Sequence, residues 1–162
     1  MAERLEVFGR PVECLPVEEV RTASNYSAII VGSAIHFNTW LYSAHRFIHS
    51  NAAVLKAKPV WAFNVGMAGH EAFRVDEELR IDRWIRKAVP DLRGHRLFHG
   101  RFYQQDVGWF LRLGFKQREM ARWGDERNWQ VIEAWADGVG KEISGRANQG
   151  ISFDWDDSSL RR

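Results

Sequence analysis

Cys14 is the only cysteine in the chain. An intramolecular disulfide is therefore excluded, a zinc site built on thiolates is not expected, and a reducing cytoplasm fits. Long apolar runs are missing as well. None approaches the ~20 residues that a membrane-spanning helix needs, and the opening MAERLEVFGR has no signal-peptide core. Nor does one sign of charge dominate. Twenty-three basic residues face 21 acidic ones, a net of +2, so no nucleic-acid partner is expected. No internal repeat and no linker-like stretch divides the chain.

What is there is apolar and aromatic. Hydrophobic residues make up 45% of the sequence and eight tryptophans are present, which suits a domain with a real core and argues against extended disorder. Residues 2–8, AERLEVF, read as the end of a helix stopped by Gly9 at its C′ position. Residues 10–17, RPVECLPV, read as a short strand entered through Pro11. Residues 27–32, SAIIVG, are apolar on both faces, as an internal parallel strand is. From Thr39 to Lys56 the apolar residues Trp40, Leu41, Ala44, Phe47, Ile48, Ala52 and Leu55 recur at helical spacing, with Asn38 or Thr39 as cap.

The second half repeats the alternation. KPVWAFNVG reads as another buried strand, residues 69–76 as a loop, and DEELRIDRWIRKAV as a helix with acids in its first turn and bases in its last. HRLFHGRF reads as a strand. Helices are expected over 106–123 and 127–145, the second with Trp129, Ile132, Trp135, Ala136, Val139 and Ile143 on one face. Strands alternating with helices predict a parallel sheet with helices on both faces. Residues 1–146 would form that domain and 147–162 a polar tail. Ligands of such sheets sit beyond the carboxyl ends of the strands, which singles out the turns Gly32–Trp40 and Asn64–Gly69.

The stretch YSAIIVGSAIHFNTWLYSAHRFIHSNAAVLKAKPVWAFNVG resembles the centre of the flavodoxin family. It is closest to the branch that contains the menaquinone-dependent protoporphyrinogen dehydrogenases. HGRFYQQ, VGWFLRLGFKQREMARW and NWQVIEAWADGVGKEI are similar to later segments of that branch, so the resemblance runs over roughly residues 1–145. It implies a flavodoxin-like α/β fold that binds flavin mononucleotide (FMN). The turn after one strand would supply Ser33, Ala34, Ile35, His36, Phe37, Asn38 and Trp40, and the next turn Asn64, Val65, Gly66, Met67 and Ala68, on opposite faces of the isoalloxazine ring. In the family a first strand and a Ser/Thr-rich phosphate loop precede the point matched by Met1. The resemblance therefore implies a sheet truncated at its N-terminus. An upstream start, closure of RPVECLPV onto SAIIVG, or a partner chain such as a homo-oligomer would fill the gap.

Several residues admit plainer roles. Trp40 and Phe37 suit a flavin stack or the core equally, and His36 suits a ligand contact or a solvated loop. His45 and His49, four apart on one helix, are better explained by an exposed face than by a metal. Asp76, Glu77 and Glu78 suit a helix start, and Cys14 suits the core. Between 101 and 123, Arg101, Arg112, Lys116, Arg118 and Arg122 outnumber Asp106 and Glu119. That basic edge suits solvent, or a peripheral contact with the inner face of the membrane or with an acidic substrate. The functional expectation is an FMN-dependent oxidoreductase of protoporphyrinogen with a quinone as acceptor. An electron-transfer flavodoxin and a flavin-free binding protein are the alternatives.

Overall fold

The computed structural model describes residues 1–36, 38–66, 71–103 and 124–145, with 71–74 described by backbone alone. By internal contacts the chain forms two units, Met1–Cys14 with Gln130–Arg162, and Leu15–Trp129.

The larger unit holds a four-stranded sheet in the order β2-β1-β3-β4. Strand β1 is Ile29–His36, β2 Thr39–Trp40, β3 Val60–Gly66 and β4 Gly94–His99. β1, β3 and β4 are parallel, and only the two-residue β2 runs antiparallel. This is the flavodoxin-like α/β architecture. Because side chains alternate along a strand, Val31, Ser33 and Ile35 share a face with Ala62, Asn64 and Gly66 of β3. On that face lies the core: Val31, Ala62, Ala44, Ile48, Leu55, Ile81, Ile85 and Val89 form one cluster. Its helical members come from α2 (Tyr42–Ser50), α3 (Ala52–Lys56) and α4 (Glu71–Ala88) with its following residue Val89. Ile48, Leu55, Val60, Ile85 and Val89 are fully buried, each worth roughly 1.5–3 kcal/mol of transfer free energy. On the opposite face the Phe63 ring covers Gly32, where any Cβ would collide with it. A side chain at this position would require that ring to shift.

The expected 39–56 helix is three elements. Thr39 and Trp40 fold back on Ile35 and His36 as β2, which Asn38 permits by adopting a left-handed φ of 60°. Asn38 and Thr39 therefore serve a hairpin, and the cap position of α2 falls to Leu41. A break at Asn51, whose Nδ2 donates to the Phe47 carbonyl at 3.0 Å, then separates α2 from α3. α4 starts at Glu71, inside the expected 69–76 loop, so Asp76–Glu78 lie in its second turn; the bases Arg86 and Lys87 do close it. RPVECLPV is not a strand. Residues 11–16 run without regular secondary structure and 17–19 form a turn. HRLFHGRF splits at Gly100 into β4 and β5 (Arg101–Phe102), and β5 pairs with β6 (Gly124–Asp125).

In the smaller unit, α1 (Ala2–Glu6) ends before the expected Phe8 with Val7 as its cap, and Gly9 takes a left-handed φ of 74° two residues beyond that cap, not at C′. The last described helix, α5, is Trp129–Gly145. Arg4 donates through Nε and Nη2 to both Asp137 oxygens at 2.6 and 2.7 Å, and Ser144 Oγ donates to the Phe8 carbonyl. Ile132, Ala136 and Val139 are buried. Trp129, expected on the same face, is 52% exposed; the Arg127 guanidinium lies over its ring instead. The expected helix 106–123 and the tail 147–162 lie outside the described residues.

Candidate functional site

Two strand ends define the site. β1 and β3 stay in parallel register to Ala34 opposite Val65, so the chain leaves both strands at the same end of the sheet. The two candidate turns therefore start side by side, as the ligand argument requires.

The first turn is anchored from beneath. Ser33 Oγ accepts from the Leu41 amide at 3.1 Å and donates to the Ala34 carbonyl at 2.8 Å. Trp40 Nε1 donates to Asn64 Oδ1 at 2.5 Å, which ties the first turn to the last residues of β3. Trp40 is 2% exposed and stands edge-on to Trp84, with ring centroids 5.8 Å apart. Of the two roles open to Trp40, the structure places it in the core. Asn64 is also fully buried, and its Nδ2 has no hydrogen-bond partner among the described residues. An orphaned buried amide donor costs about 1–3 kcal/mol, so its presence at a strand mouth calls for an explanation.

The predicted set thus divides in two. Ser33, Trp40 and Asn64 lie buried under the turns, and Ile35 packs against the core. Ala34, His36 and Asn38 are exposed at the rim, while Val65 and Gly66 are half-buried. Phe37, Met67 and Ala68 lie outside the described residues.

Two residues of this end had no site role in the sequence, where Glu77 suited only a helix start. Gly100 donates its amide to the Gly66 carbonyl at 2.8 Å, and a Cβ on Gly100 would stand 2.8 Å from Val65 Cγ1 and 3.2 Å from that carbonyl. The turn after β4 therefore rests backbone-to-backbone on the end of β3. The small residue between two strand-like halves of HRLFHGRF was the available signal. Glu77 of α4 is the other. Its Oε2 lies 3.8 Å from where a Gly66 Cβ would be, and burial raises its carboxyl above the usual range, with Arg80 acting the opposite way. Its position in α4 hid it, because an acid near a helix start has an ordinary reason to be there.

The remaining candidates resolve simply. His45 stacks on Trp84, ring centroids 4.2 Å apart, with His49 edge-on to the same ring; burial, then the neighbouring His49, lowers the His45 pKa. No group of three or more metal-ligating side chains occurs among the described residues. Cys14 is exposed, contrary to the core role expected of it. No helix among the described residues is long and apolar enough to cross a membrane.

In mostly parallel open sheets, ligands bind beyond the carboxyl ends of the strands, the end at which β1 and β3 finish side by side. The family model of the flavodoxin domain matches residues 1–126, and the chain belongs to that family. Membership carries flavin binding and redox function at the level of the family. No curated protein matches the chain significantly.

Proposed function

We propose that the protein is an FMN-dependent oxidoreductase that takes electrons from a porphyrinogen-like substrate and delivers them to a quinone. The observation that carries the reading is that β1 and β3 end side by side at one end of the sheet. The residues there fit a flat aromatic group: an exposed rim of Ala34, His36 and Asn38, a thin floor at Gly66, and a buried, unpartnered Asn64 amide beneath. When bound, FMN supplies the two-electron chemistry. The chain's own contribution is to hold and orient it. Donors for it would come from the turns that follow β1 and β3, since the amides of Ser33–His36 and Asn64–Gly66 lie within the strands, and the Trp40–Asn64 bond holds the end of β3 to the first turn. Glu77, whose proton is held more tightly than that of a free carboxyl, stands beside Gly66 as a group suited to proton exchange.

An electron-carrier flavodoxin is the less favoured reading. Carriers of that kind tend to be acidic, and this sequence has a pI near 8.9. The basic residues Arg112, Lys116, Arg118 and Arg122 support a peripheral contact with anionic lipid, where a quinone would be met. Pelleting with anionic vesicles, lost on joint Arg112→Glu and Lys116→Glu substitution, is the expected result.

FMN titration followed by quenching of flavin fluorescence tests the central reading. Saturable binding is expected, followed by flavin-dependent oxidation of protoporphyrinogen with a quinone analogue. A protein that neither purifies with flavin nor binds added FMN is a flavin-free binding protein, and the proposal fails.

A further inference from the structure

At the end of β4 the chain passes straight from the candidate site into β5. The Gly100 amide is bonded to the Gly66 carbonyl, and the Gly100 carbonyl accepts from the Glu126 amide at 3.3 Å. Arg101 comes next and is exposed; of the bases singled out between 101 and 123, it alone lies among the described residues. Directly opposite it in β6 is Asp125. Opposite charges so placed ordinarily attract each other, yet this carboxylate is held by another base. Arg127 donates through Nε and Nη2 to both Asp125 oxygens at 2.8 and 2.5 Å, and its amide adds a third bond at 3.1 Å. Those bonds hold the Asp125 carboxyl down to about 2, the Arg101 charge adding the smallest contribution. Arg101 forms no ion pair among the described residues. Its guanidinium lies over the Tyr103 ring instead, 5.6 Å from the centroid, as that of Arg127 lies over Trp129. Two cations thus share one carboxylate, and the one beside the site is left over.

We propose that Arg101, backed by Tyr103, is the residue that binds a carboxylate of the substrate, a flat aromatic molecule carrying at least one such group. The proposal rests on the porphyrinogen-like substrate argued above and adds what would hold it. A guanidinium over a ring keeps its N–H edge free, and that edge is what grips a carboxylate bidentately. The attraction of the cation to the ring also restrains an exposed side chain that binding would otherwise have to order. Asp125 does not compete, because Arg127 engages both of its oxygens.

Binding of mesoporphyrin IX and of its dimethyl ester to the full chain, followed by quenching of tryptophan fluorescence, tests this apart from any turnover. The free acid is expected to bind about tenfold more tightly than the ester, an advantage that shrinks with added salt. Arg101→Gln is expected to abolish the advantage, and Arg101→Lys to keep part of it, since the charge stays and the fork is lost. Arg127→Gln leaves Arg101 in place but releases Asp125 to pair with it, so the advantage is expected to fall there too. Adding Asp125→Asn to that variant is expected to restore it, which a merely structural role for Arg127 would not allow. FMN titrations of the same proteins separate the two readings. Unchanged FMN affinity in Arg101→Gln is expected; a loss would assign Arg101 to the cofactor and overturn the proposal. Acid and ester bound alike, neither bound, or an advantage that survives Arg101→Gln also overturns it, whether or not FMN binds. An acid advantage that depends on Arg101 in a chain that binds no FMN upholds it and sinks the flavin reading alone.

Discussion

Trp40 and Asn64 show what one residue pair does at this site. Trp40→Phe keeps an aromatic ring but removes the N–H with the five-membered part of the indole, which leaves a small cavity and Asn64 buried with neither polar end engaged. The expected cost is about 1–3 kcal/mol in urea denaturation. Combining it with Asn64→Leu removes the stranded amide, and stability is expected to return most of the way, a coupling that a double-mutant cycle measures. FMN affinity is expected to stay lost in the double variant, because the tie between the turns is gone. Recovery of both together would assign the pair to the core alone. From the sequence, Trp40 suited core and cofactor equally. A side chain at the end of a strand can turn either way, and only the hairpin at Asn38 turns this one inward.

His95 carries a second residue-scale prediction. Its side chain is 2% exposed, neither ring nitrogen has a hydrogen-bond partner among the described residues, and Asp82 Oδ1 lies 3.7 Å from Nδ1. Burial lowers its pKa to about 4, Asp82 working against the shift and Arg86 with it. Between about 4 and its ordinary 6.5 the unfolded chain holds a proton that the folded chain rejects. Stability is therefore full above about pH 6.5 and falls as pH drops towards 4, by up to about 3 kcal/mol. Urea midpoints at several pH values are expected to show this decline in the wild type, and His95→Leu is expected to flatten it.

Among the elements, the strands were the most legible. Runs apolar on both faces, SAIIVG and PVWAF, can only be buried, and they became β1 and β3. Their ends were less so. β1 runs four residues past Gly32, Ser33 and Ala34 paired with β3 and Ile35 and His36 with the returning β2, tertiary events that hydropathy does not encode. The 39–56 periodicity was real but could not reveal the break at Asn51, where the apolar spacing simply continues. RPVECLPV has strand composition but joins neither sheet. In the smaller unit, Gly140 of α5 shows the limit of propensity. Alanine is worth up to about 1 kcal/mol over glycine inside a helix, yet a Cβ at Gly140 would run into the Phe8 ring at 2.3 Å from Cδ2. Gly140→Ala is therefore expected to destabilise by about 1–3 kcal/mol, and Phe8→Ala is expected to relieve that penalty when the two are combined. Thermal melts of the four species decide it; a stabilised single variant would mean that the ring swings aside freely.

For the whole molecule, the sheet and the site are coupled through ligand binding. FMN held by the β1 and β3 turns binds the folded chain alone, since the turns lie together only while the strands stay in register. At about a hundredfold excess over Kd this adds about 2.7 kcal/mol. For a chain of this length the midpoint should rise by roughly 5–10 °C. The size of the shift separates two ways of binding. A ligand gripped by both turns should lose most of it in the Trp40→Phe, Asn64→Leu double variant, because spacing the turns then has to be achieved by the ligand itself. A ligand resting on one turn should keep it. Scanning calorimetry of both proteins with and without FMN makes the comparison, and equal shifts would mean that the Trp40–Asn64 tie is no part of the site.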